Sequence, residues 1–188
     1  MPASVGLFGK LPARGDFLRA GLPRAFTDPW DDWLQAGLSA SRAALGEAWL
    51  AAWMEAPIWR FALPDGACGP DAVLGLWMPS VDKAGRHFPL TLACILPGAG
   101  ATGLARAGEA WLDGAEQAGL DALEQDLGPE ALLARLPPGD IAAPPDGGDQ
   151  AIWWSSGSPY VAATRRTTRG LPDARSFATL LHDPVEAS

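Results

Sequence analysis

The run 88–96 (FPLTLACIL) is apolar at nearly every position, with no alternation to mark a wetted face. Successive strand residues point to opposite sides of a sheet, so a strand of this kind holds only where both faces are covered. It belongs at the centre of a sheet. The run 72–78 (AVLGLWM) has the same character, and the turn-rich Asp82-Lys83-Ala84-Gly85 between them makes the two an antiparallel pair. The rest of the chain must supply the cover. At 188 residues, 48% hydrophobic and 19% charged, it suits one domain across 1–188 and is not a disordered chain.

The cover is legible as helices. Asp28 and Pro29 read as a cap and first helical residue, followed by Trp30, Trp33, Leu34 and Leu38 on one face. A second helical stretch from about Ser41 carries Leu45, Trp49, Leu50, Trp53 and Met54 until Pro57 stops it. Leu104, Trp111, Leu112 and Ala115 mark a helix over 104–120, with a break at Gly119. Pro129 opens a shorter one with Leu132, Leu133 and Leu136, and 172–181 reads as a terminal helix. Strands are expected at 4–8, 58–63, 151–154 and 160–164, with loops at 9–23 and 137–150. Helices interspersed with strands predict an α/β fold, a three-layer α/β/α sandwich around a mixed, partly antiparallel sheet.

Several function classes fall away. A net charge of −8 opposes nucleic-acid binding, which needs Lys and Arg to neutralise phosphate. Cys68, Cys94, His87 and His182 are too widely spaced for a zinc site, so no metal or cofactor is expected. No run reaches eighteen apolar residues, and the first residues lack the basic and apolar regions of a signal peptide, so the expected location is the cytoplasm. The charge is also uneven: 101–163 carries two bases against ten acids, which reads as a solvated helix face. Through residue 27, Lys10, Arg14, Arg19 and Arg24 stand against Asp16 alone.

Gly6-Leu7-Phe8-Gly9-Lys10 has two residues between its glycines and Leu11 after the Lys, so it fails the phosphate-loop pattern. Asp16 reads as an ion-pair staple for the basic loop, accepting from an Arg and from loop N–H groups. Asp82, Lys83, Arg86 and His87 form a second polar cluster, with Ser80 nearby but outside any Gly-x-Ser-x-Gly elbow. Most of the nine Trp fall on helix faces or strands. Trp153 and Trp154 are adjacent on a strand, so either both faces there are covered or one indole is open to a partner.

Two stretches go further. The block 9–17 (GKLPARGDF), with Gly9, Pro12, Gly15 and Asp16, and the block 78–90 (MPSVDKAGRHFPL), with Pro79 and Gly85, resemble the two signatures of the TagF/ImpM family of type VI secretion accessory proteins. Asp28-Pro29-Trp30, Pro57-Ile58-Trp59-Arg60-Phe61 and Trp153-Trp154 fit the same pattern. The resemblance implies a cytoplasmic, non-catalytic negative regulator that acts after translation by contacting the forkhead-associated (FHA) scaffold protein of the apparatus. The expected contact surface joins the 10–24 loop to the 82–87 hairpin, through Lys10, Arg14, Arg19, Arg24, Asp82 and Arg86, with Trp153 and Trp154 as further contacts. The competing expectations are a hydrolase-like cleft between the 9–17 loop and the 80–87 hairpin, and a structural subunit of the apparatus.

Overall fold

The computed structural model describes residues 2–145 and 148–183. Its strands are β1 (Ser4–Gly9), β2 (Leu18–Ala20), β3 (Trp59–Leu63), β4 (Ala72–Met78), β5 (Leu90–Leu96), β6 (Gln150–Ser155) and β7 (Thr164–Arg169). They form one seven-stranded sheet in the order β2-β1-β5-β4-β3-β6-β7. β4 and β5 are buried at all seven positions each and pair along their whole length, with Leu74 opposite Cys94.

The α/β class holds, but the sheet is not mixed. All six strand pairings are antiparallel. The short links are hairpins, which enforce opposite directions. The first long helical excursion joins β2 to β3, which run the same way but lie four places apart. The second joins β5 to β6, which run in opposite directions. Neither excursion places two like-directed strands side by side.

Alternate strand residues feed two apolar clusters. Phe61, Val73, Trp77, Ala93 and Ile95 pack with α1 (Arg24–Leu45), α2 (Trp49–Met54) and α6 (Ala178–Leu181). Leu74, Leu76, Met78, Leu92 and Cys94 pack with α3 (Ala101–Ala107), α4 (Glu109–Glu124) and α5 (Pro129–Arg135). The first cluster is aromatic, holding seven of the nine Trp. Several of its indole N–H groups find acceptors: Trp30 donates to Thr91 Oγ1 at 2.9 Å and Trp59 to the Leu180 carbonyl at 2.8 Å, whereas the Trp77 N–H is buried without a partner among the described residues. The Trp30 bond accounts for a polar residue, Thr91, on the fully buried strand β5. Gly75 leaves room for the Phe61 ring, whose Cζ would lie 2.6 Å from a Cβ there.

Several boundaries differ from expectation for packing reasons. α1 starts at Arg24, a turn before Asp28, because Phe26 and Thr27 are drawn into the core; Pro23 is the cap, and its carbonyl accepts from both at 3.1 Å. Pro29 is therefore inside the helix. α1 continues through Ser41 to Leu45, since the Ser41 hydroxyl accepts from Trp49 Nε1 and donates to Leu38; the break comes at Gly46, with a short 3₁₀ turn to Ala48. The expected 104–120 helix is divided at Gly108, where a Cβ would meet Leu74, and runs through Gly119 to Glu124. The 9–23 loop contains β2, the last strand lies at 164–169 and not 160–164, and only four residues of 172–181 are α-helical.

Candidate functional site

The two signature blocks meet at the end of the sheet where β1 and the β4–β5 link lie side by side. Gly9 ends β1 at φ +126°, with its backbone so close to Pro89 that a Cβ would fall 1.9 Å from the Pro89 carbonyl oxygen. Only glycine fits there. The next residue, Lys10, turns inward beneath the link.

The link is organised by Asp82. One carboxylate oxygen, Oδ1, accepts from the backbone N–H groups of Ala84 and Arg86, both at 2.9 Å, and the Asp82 carbonyl accepts from Gly85. This is the local turn that Asp favours, with Gly85 supplying the positive φ of +79°. The other oxygen, Oδ2, accepts from Lys10 Nζ at 2.8 Å and Arg86 Nε at 2.7 Å. Lys10 and Asp82 are 6% and 2% exposed, so this is a buried pair, and the other positions of the carboxylate are filled by Arg86 and two backbone N–H groups. The Lys10 ammonium holds the Asp82 carboxyl well below the usual carboxylate range; burial opposes this, and the Arg86 and Ala84 donors add to it.

Backbone contacts finish the staple. Lys83 N–H donates to the Arg14 carbonyl at 2.8 Å, Arg86 donates to the Gly15 carbonyl at 2.7 Å, and the Ser80 hydroxyl donates to the Lys10 carbonyl at 2.8 Å. Lys10 also lies 4.7 Å above the Phe17 ring, which packs edge-on against Phe88. The 10–17 and 80–88 segments are thus one body. His87 is half-buried, edge-on to Trp49 and Trp53, and its pKa is lowered by burial and by Arg42, with Asp82 pulling the other way.

The residues singled out in the sequence divide into three groups. Lys10 and Asp82 are internal to the staple and are not contact groups for a partner. Arg14, Arg19, Arg24 and Arg86 are exposed. Trp153 is buried in the aromatic cluster, stacked on Trp30 and bonded to Thr168, so it offers no surface; Trp154 is half-buried with Arg165 over its ring at 5.2 Å. The staple role assigned to Asp16 belongs to Asp82: Asp16 is exposed and has no ion pair among the described residues. Pro12 and Pro79 wall a small notch beside Val81. Ser80 and His87 do not meet, since the Ser80 hydroxyl is spent on Lys10 and the His87 ring lies against indoles.

Two features escaped the sequence reading. Arg60, on β3, reaches three carboxylates of α4: Glu109 at 3.1 Å, Asp113 at 2.8 Å and Glu116 at 2.8 Å. The signal was available, because Glu109, Asp113 and Glu116 recur at helical spacing. Leu50 and Met54 are exposed, although their helical spacing groups them with Trp49 and Trp53. α2 is a short helix of its own after the break at Gly46, and its buried face is set by Trp49, Ala52 and Trp53.

Both cysteines are free and buried, with thiols pushed up to about 12 by burial, Cys94 with a contribution from Asp140. Among the described residues no group of three or more His, Cys, Asp or Glu is placed to hold a metal ion, and no helix is long and apolar enough to cross a membrane.

Residues 6–137 match the family model described as the TagF N-terminal domain, type VI secretion system-associated. The matched span contains both signature blocks and ends before β6. The chain is also similar to a solved structure, the protein PA0076 from Pseudomonas aeruginosa PAO1, with 37% identity and a TM-score of 0.86 over 98% of this chain and 97% of that one. No curated protein matches the chain.

Proposed function

Because the chain belongs to the TagF family of type VI secretion-associated proteins, we propose that it is a cytoplasmic negative regulator of the secretion apparatus, acting by binding the FHA scaffold protein. One observation carries this reading. The two signature blocks, some seventy residues apart in sequence, are spent on building one rigid lip, and that lip presents Arg14, Lys83 and Arg86 to solvent. A preorganised charged surface suits recognition, because little freedom is lost on binding.

The same geometry supports a non-catalytic role. Asp82 is occupied by two bases and two N–H groups, Ser80 by a carbonyl and His87 by two indoles. Such groups hold each other in place and leave no nucleophile–base pair. The two apolar clusters on alternate residues of β4 and β5 favour a helix–sheet–helix sandwich across 1–188 as the scaffold of this lip.

The test separates contact from folding. Arg86 both braces Asp82 and faces solvent, so its substitution would confound the two. Arg14→Glu with Lys83→Glu reverses two exposed charges and keeps the backbone bond between those residues. Capture of purified FHA scaffold protein should fall at least about tenfold while the Tm is unchanged. Deletion of the protein should raise secretion in its host. Unaltered capture by the folded double variant, or no rise on deletion, overturns the reading.

A further inference from the structure

We propose that the notch beside the staple receives a single apolar side chain of the partner, presented on an acidic segment. This rests on the reading that the lip binds a secretion component, and adds which part of that component docks and where. Among the described residues three large apolar side chains stand exposed: Phe17 at 48%, Leu50 at 52% and Met54 at 64%. Isolated exposed apolar residues are ordinary, but Phe17 and Met54 border the 80–88 link and Leu50 lies one turn before Met54 on the same helix. Phe17 packs on Phe88 with ring centroids 4.7 Å apart. Leu50 and Met54 lie one turn apart on the outside of α2, whose inner residues Trp49 and Trp53 hold His87.

Between Met54 and the link opens a cavity of about 180 Å³, walled by Pro12, Trp53, Pro79, Val81 and Leu123. Small-molecule pockets run to roughly 300–1,000 Å³, so this notch is the size for one side chain and not for a metabolite. Its one polar wall residue is Ser80, whose hydroxyl is turned to Lys10. An apolar anchor fits; a polar one would lose its hydrogen bonds with water and find no replacement.

Charge identifies what flanks the anchor. The 10–17 and 80–88 segments carry four bases against two acids on a chain of net −8. Asp82 is buried with Lys10, which leaves Arg14, Lys83 and Arg86 at the surface against Asp16. Glu130 only approaches Arg14, at 3.8 Å with both side chains exposed. The exposed acids Glu55 and Glu124 follow the wall residues Met54 and Leu123, so the complement is a segment that seats one apolar residue in the notch and carries its carboxylates toward the basic loops, the apolar group supplying affinity and the charges approach and register.

The experiment places the photocrosslinking residue p-benzoylphenylalanine at position 50, at position 54 and, as an exposed control on α1, at position 32. The full chain is used in secretion-competent cells, and adducts are mapped by mass spectrometry. Adducts are expected from 50 and 54, not from 32, within an acidic segment of a secretion component. Leu50→Asp should cut the adduct from position 54 about tenfold or more, by repulsion of the acidic segment and loss of apolar contact. Failure to crosslink from 50 and 54, adducts joining two copies of this chain, or adducts on a segment without acids overturn the proposal. If the mapped component is not the FHA scaffold, the notch stands and the scaffold assignment falls. If the scaffold crosslinks only from elsewhere, the scaffold assignment stands and the notch falls.

Discussion

At the end of the sheet one carboxylate, Asp82, is shared by two bases; on β3 one guanidinium, Arg60, is shared by three carboxylates. The two clusters use the same chemistry with opposite stoichiometry, and they differ in how far the carboxylates are shielded. The Asp82 side chain is wholly shielded and Lys10 almost so, whereas Glu109 and Asp113 around Arg60 are 55% and 70% exposed. Buried charges must be paired, because the cost of desolvation is met only when every partner is present. Exposed charges are screened by water and salt, so their partners can be lost at small cost. The Asp82 cluster should therefore define how two loops meet, while the Arg60 cluster offsets repulsion along a helix face.

The largest effect should come from Asp82→Ala. It leaves the Lys10 ammonium buried without a partner and removes the acceptor that shapes the 82–86 turn. A fall in Tm of about 10 °C or more is expected by thermal denaturation. The titration of the same group gives a second reading. Its folded pKa is depressed, so its stabilisation is complete above the unfolded value of about 4 and is lost as pH falls below that toward the folded value. The difference in unfolding free energy between wild type and Asp82→Ala should be flat from pH 7 to about 5 and shrink below about 4. A difference that already narrows between pH 7 and 5 would mean that the carboxyl is not held by Lys10.

Arg60→Met is the matching break in the other cluster, with a smaller result. The guanidinium offsets repulsion among carboxylates that water already reaches, so a loss of about 1–2 kcal/mol, or roughly 5 °C, is expected. Salt is the discriminating variable. The gap between Arg60→Met and wild type should narrow as sodium chloride rises, because added ions screen both the lost attraction and the uncovered repulsion. The Asp82→Ala gap should hold nearly constant over the same range. Equal salt dependence in both variants would erase the distinction between the clusters.

The two clusters also differ in how far they can be read from the chain. The central pair was legible because doubly apolar strands have one place to go, and β4 falls at 72–78 as the run predicts. That the signature blocks meet is a condition of the expected surface, and the resemblance they carry does not itself place them side by side. Which acid is the staple was not legible either. Asp16 and Asp82 both sit among bases, and local charge density does not say which one is desolvated. The answer lies in a contact between Lys10 and Asp82 that no local window contains. Trp153 and Trp154 pose the same problem: alternation puts them on opposite faces, but only the helices above the sheet decide that Trp153 is sealed beneath Trp30 and Trp33. The Arg60 cluster is not legible locally, because the acidic region reads as a solvated face although a strand residue lies opposite it. The mixed sheet was expected because helix–strand alternation is common to parallel and antiparallel topologies, and direction depends on where each excursion lands.

The smallest effect tests the surface of the Asp82 cluster. Arg14→Ala removes a side chain whose acidic neighbour, Glu130, is 3.8 Å away, with the two side chains 52% and 82% exposed. Pairs of this kind contribute close to nothing, so the Tm should move by less than about 1 °C. The Arg14 carbonyl, which accepts from Lys83, is untouched by the change. Stability near that of wild type, together with weaker capture of the FHA scaffold, would place the Arg14 side chain in recognition and its backbone in architecture. A loss of several degrees would instead show that the exposed charges help to hold the loops together. Weakened capture by the Arg14→Glu, Lys83→Glu variant would then report a distorted lip and not a lost contact.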